Sequence, residues 1–143
     1  MKDMKIFHGL KQETLDFIES SSKKRKYKKG DIICVEGNPA DELFFIEKGK
    51  VRISSKGERL AFLAQGDGFG EMSIIDMMSR ATDVIAEEDT EVFVLEKKYM
   101  YKLYKENLKE YVIILMNLAR ELSRRLRKMD KLVSRMERKF KKL

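Results

Sequence analysis

Short apolar runs separated by glycine-containing turns fill the chain between Tyr27 and Leu95. Runs of four or five residues rich in Val, Ile, Leu and Phe, bounded by Gly, Asp and Asn, are typical of β-strands. Several such strands at intervals of about eight to twelve residues indicate an antiparallel sandwich or barrel. The sequence predicts strands at 32–35, 43–46, 51–54, 59–63, 83–86 and 91–95.

One of these turns makes a specific pairing prediction. Gly49 lies in the segment Glu47-Lys48-Gly49-Lys50, between the predicted strands 43–46 and 51–54. Glycine adopts the positive φ angles that tight hairpin turns require. We therefore expect a hairpin in which these two strands pair with each other.

Three segments have the apolar spacing of helices. Residues 10–20 predict a short amphipathic helix and residues 97–106 predict a second. Residues 111–143 contain neither Pro nor Gly and predict one long helix of roughly 50 Å, at about 1.5 Å per residue. Its apolar side chains follow one face in steps of three and four: Leu115, Leu118, Leu122, Leu126, Met129, Val133, Met136 and Phe140.

The long helix exceeds the length that a small β-domain needs to cover itself. The protruding part of its apolar stripe must be buried elsewhere, and the same helix of a second subunit is the simplest partner. The stripe therefore predicts a homodimer. The alternative is a helix docked wholly on its own barrel.

Positive charge is concentrated in the same helix. The net charge is +7, and residues 111–143 contain 11 Lys and Arg against 3 Asp and Glu. A second basic cluster, Lys23 to Lys26, is interpreted as a turn and edge strand, with nucleic-acid contact as the alternative. The sequence has no apolar run of membrane-spanning length and no signal-peptide core, and it has a single cysteine, Cys34. The expected location is cytoplasmic.

The segment from Phe69 to Thr82 has the chemistry of a phosphate site. Gly68 and Gly70 precede a short predicted helix that begins at Glu71, and free N–H groups at such a start bind anions. Arg80 supplies a bidentate partner for phosphate oxygens, and Glu71 an acceptor for sugar hydroxyls. A sugar phosphate fits this set of groups. The alternative is a turn, a short helix and a surface arginine.

Two stretches of the chain together resemble one known family. Phe-Gly-Glu-Met-Ser-Ile, five residues and Arg80-Ala81 resembles the phosphate-binding cassette of cyclic nucleotide-binding domains. The segment from Ile33 to Gly49 is similar to the family's other signature, a strand, a glycine turn, a small residue, four apolar residues and a final glycine. The resemblance extends from about Phe7 to Lys131. It implies an antiparallel jelly-roll β-barrel flanked by helices, with residues 1–110 as the nucleotide-binding barrel and N-terminal helix, and 111–143 as a basic lid and dimerisation helix.

The resemblance also implies roles for individual residues. The amides of Gly70 and Glu71 approach the ligand, the Glu71 carboxylate accepts from the ribose 2′-hydroxyl, and Arg80 pairs with the cyclic phosphate. Ala81 and Thr82 depart from the family, which often has Ser or Thr and then Ala at these positions. The predicted ligand-binding residues are Phe69, Gly70, Glu71, Met72, Ser73, Arg80, Ala81, Thr82, Arg125 and Met129.

The long helix is expected to cap the base, with Leu122, Arg125, Leu126 and Met129 as candidates. Met129 and Asp130 stand where bacterial catabolite activators, members of this family, carry hydroxyl residues that touch adenine. That contact is therefore not carried over. The choice between cAMP and cGMP is left open.

The resemblance implies a regulatory module that binds cAMP or cGMP and signals by movement of its C-terminal helix. A ligand-independent dimerisation module with a degenerate pocket is the alternative, and non-specific nucleic-acid binding through the basic helix is a third hypothesis. No helix-turn-helix follows the long helix, so specific DNA binding is not expected. One histidine, His8, provides neither a metal site nor a catalytic triad, so neither an enzyme nor a cofactor is expected. The chain is either complete or a fragment of a larger protein.

Overall fold

The computed structural model describes residues 3–39, 41–70 and 82–142, with only the main chain of Leu60. A 3-10 turn at Lys5–Phe7 precedes helix α1, and two further helices close the described chain. The helices are α1 (Gln12–Ser21), α2 (Lys97–Glu106) and α3 (Leu108–Lys141). The strands are β1 (Lys23–Tyr27), β2 (Ile32–Cys34), β3 (Glu42–Lys48), β4 (Lys50–Ser55), β5 (Glu58–Ala64), β6 (Gly68–Phe69), β7 (Asp83–Ala86) and β8 (Thr90–Glu96).

The strands form two four-stranded antiparallel sheets. One has the order β1-β8-β3-β6 and the other β2-β7-β4-β5. Alternate residues of β3 point to opposite sides: Phe44 packs toward the second sheet, whereas Phe45 packs against the helices. Strand β8 alternates in the same way. The central strands β3 and β8 are thus buried on both faces, which explains why their sequences are nearly continuous apolar runs.

The observed sheets confirm one part of the predicted fold and contradict another. The mainly antiparallel β architecture and the long C-terminal helix are confirmed. Between the described strands, however, no hydrogen-bonded ladder joins one sheet to the other, so the predicted closed barrel is not observed there. The two sheets are held by side-chain packing, and the jelly-roll connectivity stays a prediction.

The predicted hairpin at Gly49 is wrong. Strand β3 pairs with β6 and β8, and β4 pairs with β5 and β7, so the turn carries the chain from one sheet to the other. Gly49 has φ +103°, and a Cβ there would lie 2.6 Å from the carbonyl oxygen of Asp89. Thr90, almost fully buried, accepts a hydrogen bond from the Lys50 N–H at 3.3 Å. Gly49 is therefore a tight corner packed against the β7–β8 connection.

Helix α3 has two apolar faces. It begins at Leu108, three residues before the predicted start, and buries Ile114 and Leu118 against its own domain. Leu118 thus leaves the exposed stripe to which the sequence assigned it. From Leu126 to Lys142 every residue is exposed, so this part of the helix is not docked on the domain.

Acidic side chains neutralise the basic cluster at Lys23–Lys26, which forms most of β1. The Arg25 guanidinium makes a bidentate pair with Glu42, with N–O distances of 2.8 and 3.2 Å. These hydrogen bonds raise the pKa of Arg25. The three lysines each lie within 3.9 Å of a glutamate oxygen, on Glu96, Glu47 and Glu91. The interpretation as an edge strand is confirmed, since β1 ends its sheet.

None of the helices in residues 3–39, 41–70 and 82–142 is both long and apolar enough to cross a membrane.

Candidate functional site

Strand β6 leads directly into the predicted cassette. Phe69 pairs with Phe44 across the β3–β6 ladder, and the two rings stack with centroids 4.8 Å apart. The Phe69 side chain is buried in the core between the sheets. Because its ring is committed to packing, any contact of Phe69 with a ligand falls to its main chain.

Gly70 follows with the backbone geometry that the cassette prediction requires. Its φ is +88°, in the left-handed region that residues with a Cβ rarely adopt. The chain therefore turns sharply immediately after β6. Five predicted site residues lie outside the described residues, and their roles stay predictions: Glu71, Met72, Ser73, Arg80 and Ala81.

Arg125 of α3 reaches the strand that precedes the cassette. Its Nη2 donates a long hydrogen bond of 3.4 Å to the carbonyl oxygen of Gly68. The guanidinium lies in a cleft between α3 and the β5–β6 loop, also lined by Phe69, Leu118 and Glu121. The remaining space is about 20 Å³, room for about one water molecule. Two predicted site residues, Phe69 and Arg125, thus line the same cleft.

A polar cluster at this cleft was not predicted from the sequence. Lys5 Nζ donates to Asp67 Oδ1 at 3.0 Å and lies 4.0 Å from Glu121 Oε1. The Lys5 N–H also donates to the carbonyl of Gly66 at 3.4 Å. Arg124 Nη1 lies 3.1 Å from Glu121 Oε2 as an ion pair but does not meet hydrogen-bond geometry. The N-terminal turn therefore links the β5–β6 loop to α3.

Sequence signals for this cluster are weak. Glu121 precedes Arg125 by four residues, a spacing that places both side chains on one face of a helix. Lys5 carries no local signal, because its partners lie far along the chain. Only the fold brings the 3-10 turn, the loop and the helix together.

The other predicted residues on α3 do not reach the cleft. Met129 is 58% exposed and Leu126 is 65% exposed, whereas Leu122 is half-buried. Thr82 is half-buried and directly precedes β7. Contacts of Met129 and Thr82 with a ligand stay predictions. In the part of the chain that the structure describes, no group of three or more His, Cys, Asp or Glu side chains is arranged to hold a metal ion.

Comparison with known proteins supports the resemblance that the sequence motifs predict. Residues 24–107 match the family model of the cyclic nucleotide-binding domain. The cyclic AMP receptor protein of Thermus thermophilus is 34% identical over 135 residues, covering 91% of this chain and 61% of the relative. The chain thus spans about three fifths of that relative's length.

Solved structures are similar in fold as well. The catabolite activator protein of Thermus thermophilus superposes with a TM-score of 0.75 and 33% identity, over 93% of this chain and 63% of that one. A cyclic nucleotide-binding domain from Methylobacillus flagellatus gives a TM-score of 0.79 and 25% identity, over 90% and 76%. The family match covers more than half of the chain and agrees with the predicted resemblance. The protein belongs to the family of cyclic nucleotide-binding domains.

Proposed function

We propose that this chain binds cAMP or cGMP in its β-domain and reports occupancy through α3. The observation that carries the proposal is the contact between Arg125 and the carbonyl of Gly68. It joins the long helix to the strand that leads into the predicted phosphate-binding cassette. A ligand shifts a helix only through contacts that differ between two states, and this junction is where such contacts would change.

The phosphate would be held by the predicted cassette. In this proposal Arg80 pairs with the cyclic phosphate, the amides of Gly70, Glu71, Ala81 and Thr82 donate to it, and the Glu71 carboxylate accepts from the ribose. Met72 and Ser73 complete the cassette. The positive φ of Gly70 supports a turn at its start. Arg125 and Met129 would face the base when α3 closes over it.

The module would act as a homodimer through α3 and would bind no DNA sequence specifically. The exposed apolar residues beyond Leu126 support self-association, because soluble monomers rarely expose such a strip. A cytoplasmic setting is part of the proposal and is supported by the single cysteine, Cys34, which is buried and has no second cysteine in this sequence to form a disulfide with. Catalysis is not part of it, because the matched family is a binding domain.

Isothermal titration with cAMP and cGMP tests the proposal. We expect binding with micromolar or better affinity to at least one of them. At about 100 times the dissociation constant, mass action stabilises the folded state by about 2.7 kcal/mol, which thermal unfolding detects. No heat and no thermal shift with either nucleotide at about 1 mM would favour the ligand-independent dimerisation module instead.

The variant Arg80→Ala tests whether Arg80 pairs with the cyclic phosphate. Loss of one member of a buried charge pair costs roughly 2–5 kcal/mol of binding free energy, so affinity should fall at least about thirtyfold. Arg138→Ala is the matched control, since Arg138 lies exposed near the far end of α3. Equal affinity of the two folded variants would remove Arg80 from the site.

A further inference from the structure

The exposed side of α2 carries lysines and tyrosines. Met100 and Leu103 anchor the helix in the core. Tyr101 and Tyr104, in contrast, are 56% and 49% exposed. None of the exposed residues belongs to the apolar stripe of α3 that the proposed dimer would use. They form the lysine–tyrosine face, which consists of Lys98, Tyr101, Lys102, Tyr104 and Lys105.

The lysines of this face repel one another. Lys98, Lys102 and Lys105 are four and three residues apart, so they project from the same side of the helix. Like charges at these spacings destabilise a helix. Glu13 and Glu106 lie near Lys102, at the groove between α1 and α2, but neither forms a salt bridge with it. The helix as a whole contains four lysines and one glutamate, so positive charge accumulates on it.

Partners for two of these charges are missing in the described part of the chain. Each lysine of β1 lies within 3.9 Å of a glutamate oxygen. Within residues 3–39, 41–70 and 82–142, Lys102 and Lys105 form no salt bridge, whereas Lys98 lies 3.5 Å from a glutamate oxygen. The ammonium groups of Lys102 and Lys105 lie instead over the rings of Phe17 and Tyr101, 5.5 and 5.1 Å from the centroids. Such a surface attracts anionic groups of other molecules.

The tyrosines add an apolar part to the same face. The rings of Tyr101 and Tyr104 are 6.0 Å apart, and Tyr104 also packs against Tyr111 of α3 at 5.4 Å. Leu108, at the start of α3, is exposed as well. Tyrosine is enriched in protein interfaces, because its ring is buried there while its hydroxyl forms a hydrogen bond. Exposed rings beside lysines without carboxylate partners therefore fit a surface with both acidic and apolar side chains.

We propose that the lysine–tyrosine face docks an acidic segment of a partner protein. Carboxylates of the segment pair with Lys102 and Lys105, and its apolar side chains cover the rings of the two tyrosines. The proposal does not depend on nucleotide binding or on the dimer.

Two other anionic partners fit this face less well. A single-stranded nucleic acid stacks its bases on ring faces, and Lys105 already holds one face of Tyr101. A helix that lies on an anionic bilayer inserts its apolar side into the lipid. The apolar side of α2, with Met100 and Leu103, is instead buried in the core of the domain.

A labelled acidic peptide tests the proposal. The probe is a fluorescent peptide of repeated Glu-Glu-Leu-Phe units, titrated with the full chain at low salt and followed by fluorescence anisotropy. We expect Lys102→Glu/Lys105→Glu to weaken its binding at least about tenfold, because two attractive charges become repulsive. Tyr101→Ser should also weaken binding of this peptide, but not of a peptide of repeated Glu-Glu-Ser-Ser units, which has no apolar side chains to cover the ring.

Lys139→Glu/Lys142→Glu is the matched control, since it makes the same change of charge at exposed positions near the far end of α3. It should alter the affinity by less than about threefold, because salt and distance screen these charges from the face. Circular dichroism verifies that each variant is folded before titration.

Three results would overturn the docking surface. One is no binding of the Glu-Glu-Leu-Phe peptide to the unsubstituted chain. Another is equal weakening by the two double variants, which would show a general attraction of the basic chain for acidic peptides. The third is weakened binding of Lys102→Glu/Lys105→Glu to oligothymidine or to phosphatidylserine vesicles with peptide binding unchanged, which would assign the face to that ligand instead.

Discussion

Glu110 is a buried carboxylate that joins two distant helices. It is 3% exposed, and its Oε1 accepts from the Lys11 N–H at 2.9 Å and from the Thr14 hydroxyl at 3.0 Å. The start of α1 has no side-chain cap of its own, so Glu110 from α3 takes that role. A negative charge beside the N-terminus of a helix also interacts favourably with its dipole.

Removing this carboxylate should lower stability. Glu110→Ala leaves the Lys11 N–H and the Thr14 hydroxyl without their acceptor, at an expected cost of about 1–3 kcal/mol in the free energy of unfolding. Glu110→Gln keeps an acceptor oxygen and should cost less. Urea unfolding followed by circular dichroism measures both. Glu106→Ala, at an exposed position of α2, is the control, and equal midpoints for the two alanine variants would contradict the capping role.

The roles of some individual residues could be predicted from the sequence, whereas those of others could not. Arg125 was assigned to the site by its position on the helix, and the structure places it on the Gly68 carbonyl. Glu110 and Lys5 were missed because neither belongs to a local motif. Their partners, Thr14 and Asp67, are distant in sequence, and only tertiary packing brings each pair together.

Among the elements, the corner between β3 and β4 joins the two sheets at one point. Gly49 needs both a positive φ and the absence of a side chain, because a Cβ would meet the main chain of Asp89 and Thr90 within 2.7 Å. Gly57, in the β4–β5 hairpin, has φ +81° but no atom within 4 Å of a built Cβ. Substitutions at these two positions therefore distinguish the cost of backbone strain alone from the cost of strain combined with a steric clash.

Alanine at these positions should have unequal effects. Gly57→Ala adds only left-handed strain, about 1–2 kcal/mol. Gly49→Ala adds the same strain and an overpacking cost of about 1–3 kcal/mol, so it should be the more destabilising by roughly that difference. Chemical unfolding of the two variants side by side gives the comparison. Similar losses would show that the corner relaxes to accept a methyl group.

The elements show where pattern reasoning works and where it stops. The strand Asp83–Ala86 and the helix Lys97–Glu106 were predicted with the bounds observed, because period and flanking turn residues are local. The hairpin at Gly49 was wrong because glycine specifies a bend, whereas strand pairing depends on residues far along the chain. The 3-10 turn at Lys5–Phe7 is too short to leave a periodic pattern.

For the whole molecule, charge and apolar surface oppose each other in self-association. The proposed dimer through α3 would bring together two copies of a segment, residues 111–143, in which basic residues outnumber acidic ones by 11 to 3. Repulsion among these basic residues would oppose the proposed pairing, and salt screens such repulsion. The apolar stripe of α3, with Met129, Val133 and Phe140 exposed in the single chain, would supply the attraction.

We therefore expect dimerisation to tighten as salt rises. Sedimentation at low and high ionic strength measures the change. Val133→Glu places a charge in the apolar stripe of α3 and should give a monomer, whereas Ser134→Glu adds the same charge one residue away, outside the stripe. An unsubstituted protein that stays monomeric at tens of micromolar in both salts would contradict the dimer.

The exposed end of α3 also has a mechanical consequence. From Leu126 to Lys141 the helix is a stiff arm of about 24 Å that projects beyond the cleft. A tilt of about 10° at Arg125 would move the Phe140 end by about 4 Å, on the rise per residue of an α-helix. Close packing around Ile114 and Leu118 permits only small shifts at the other end. A helix of this length would therefore convert a slight repacking near Arg125 into a displacement about as wide as a side chain at its far end.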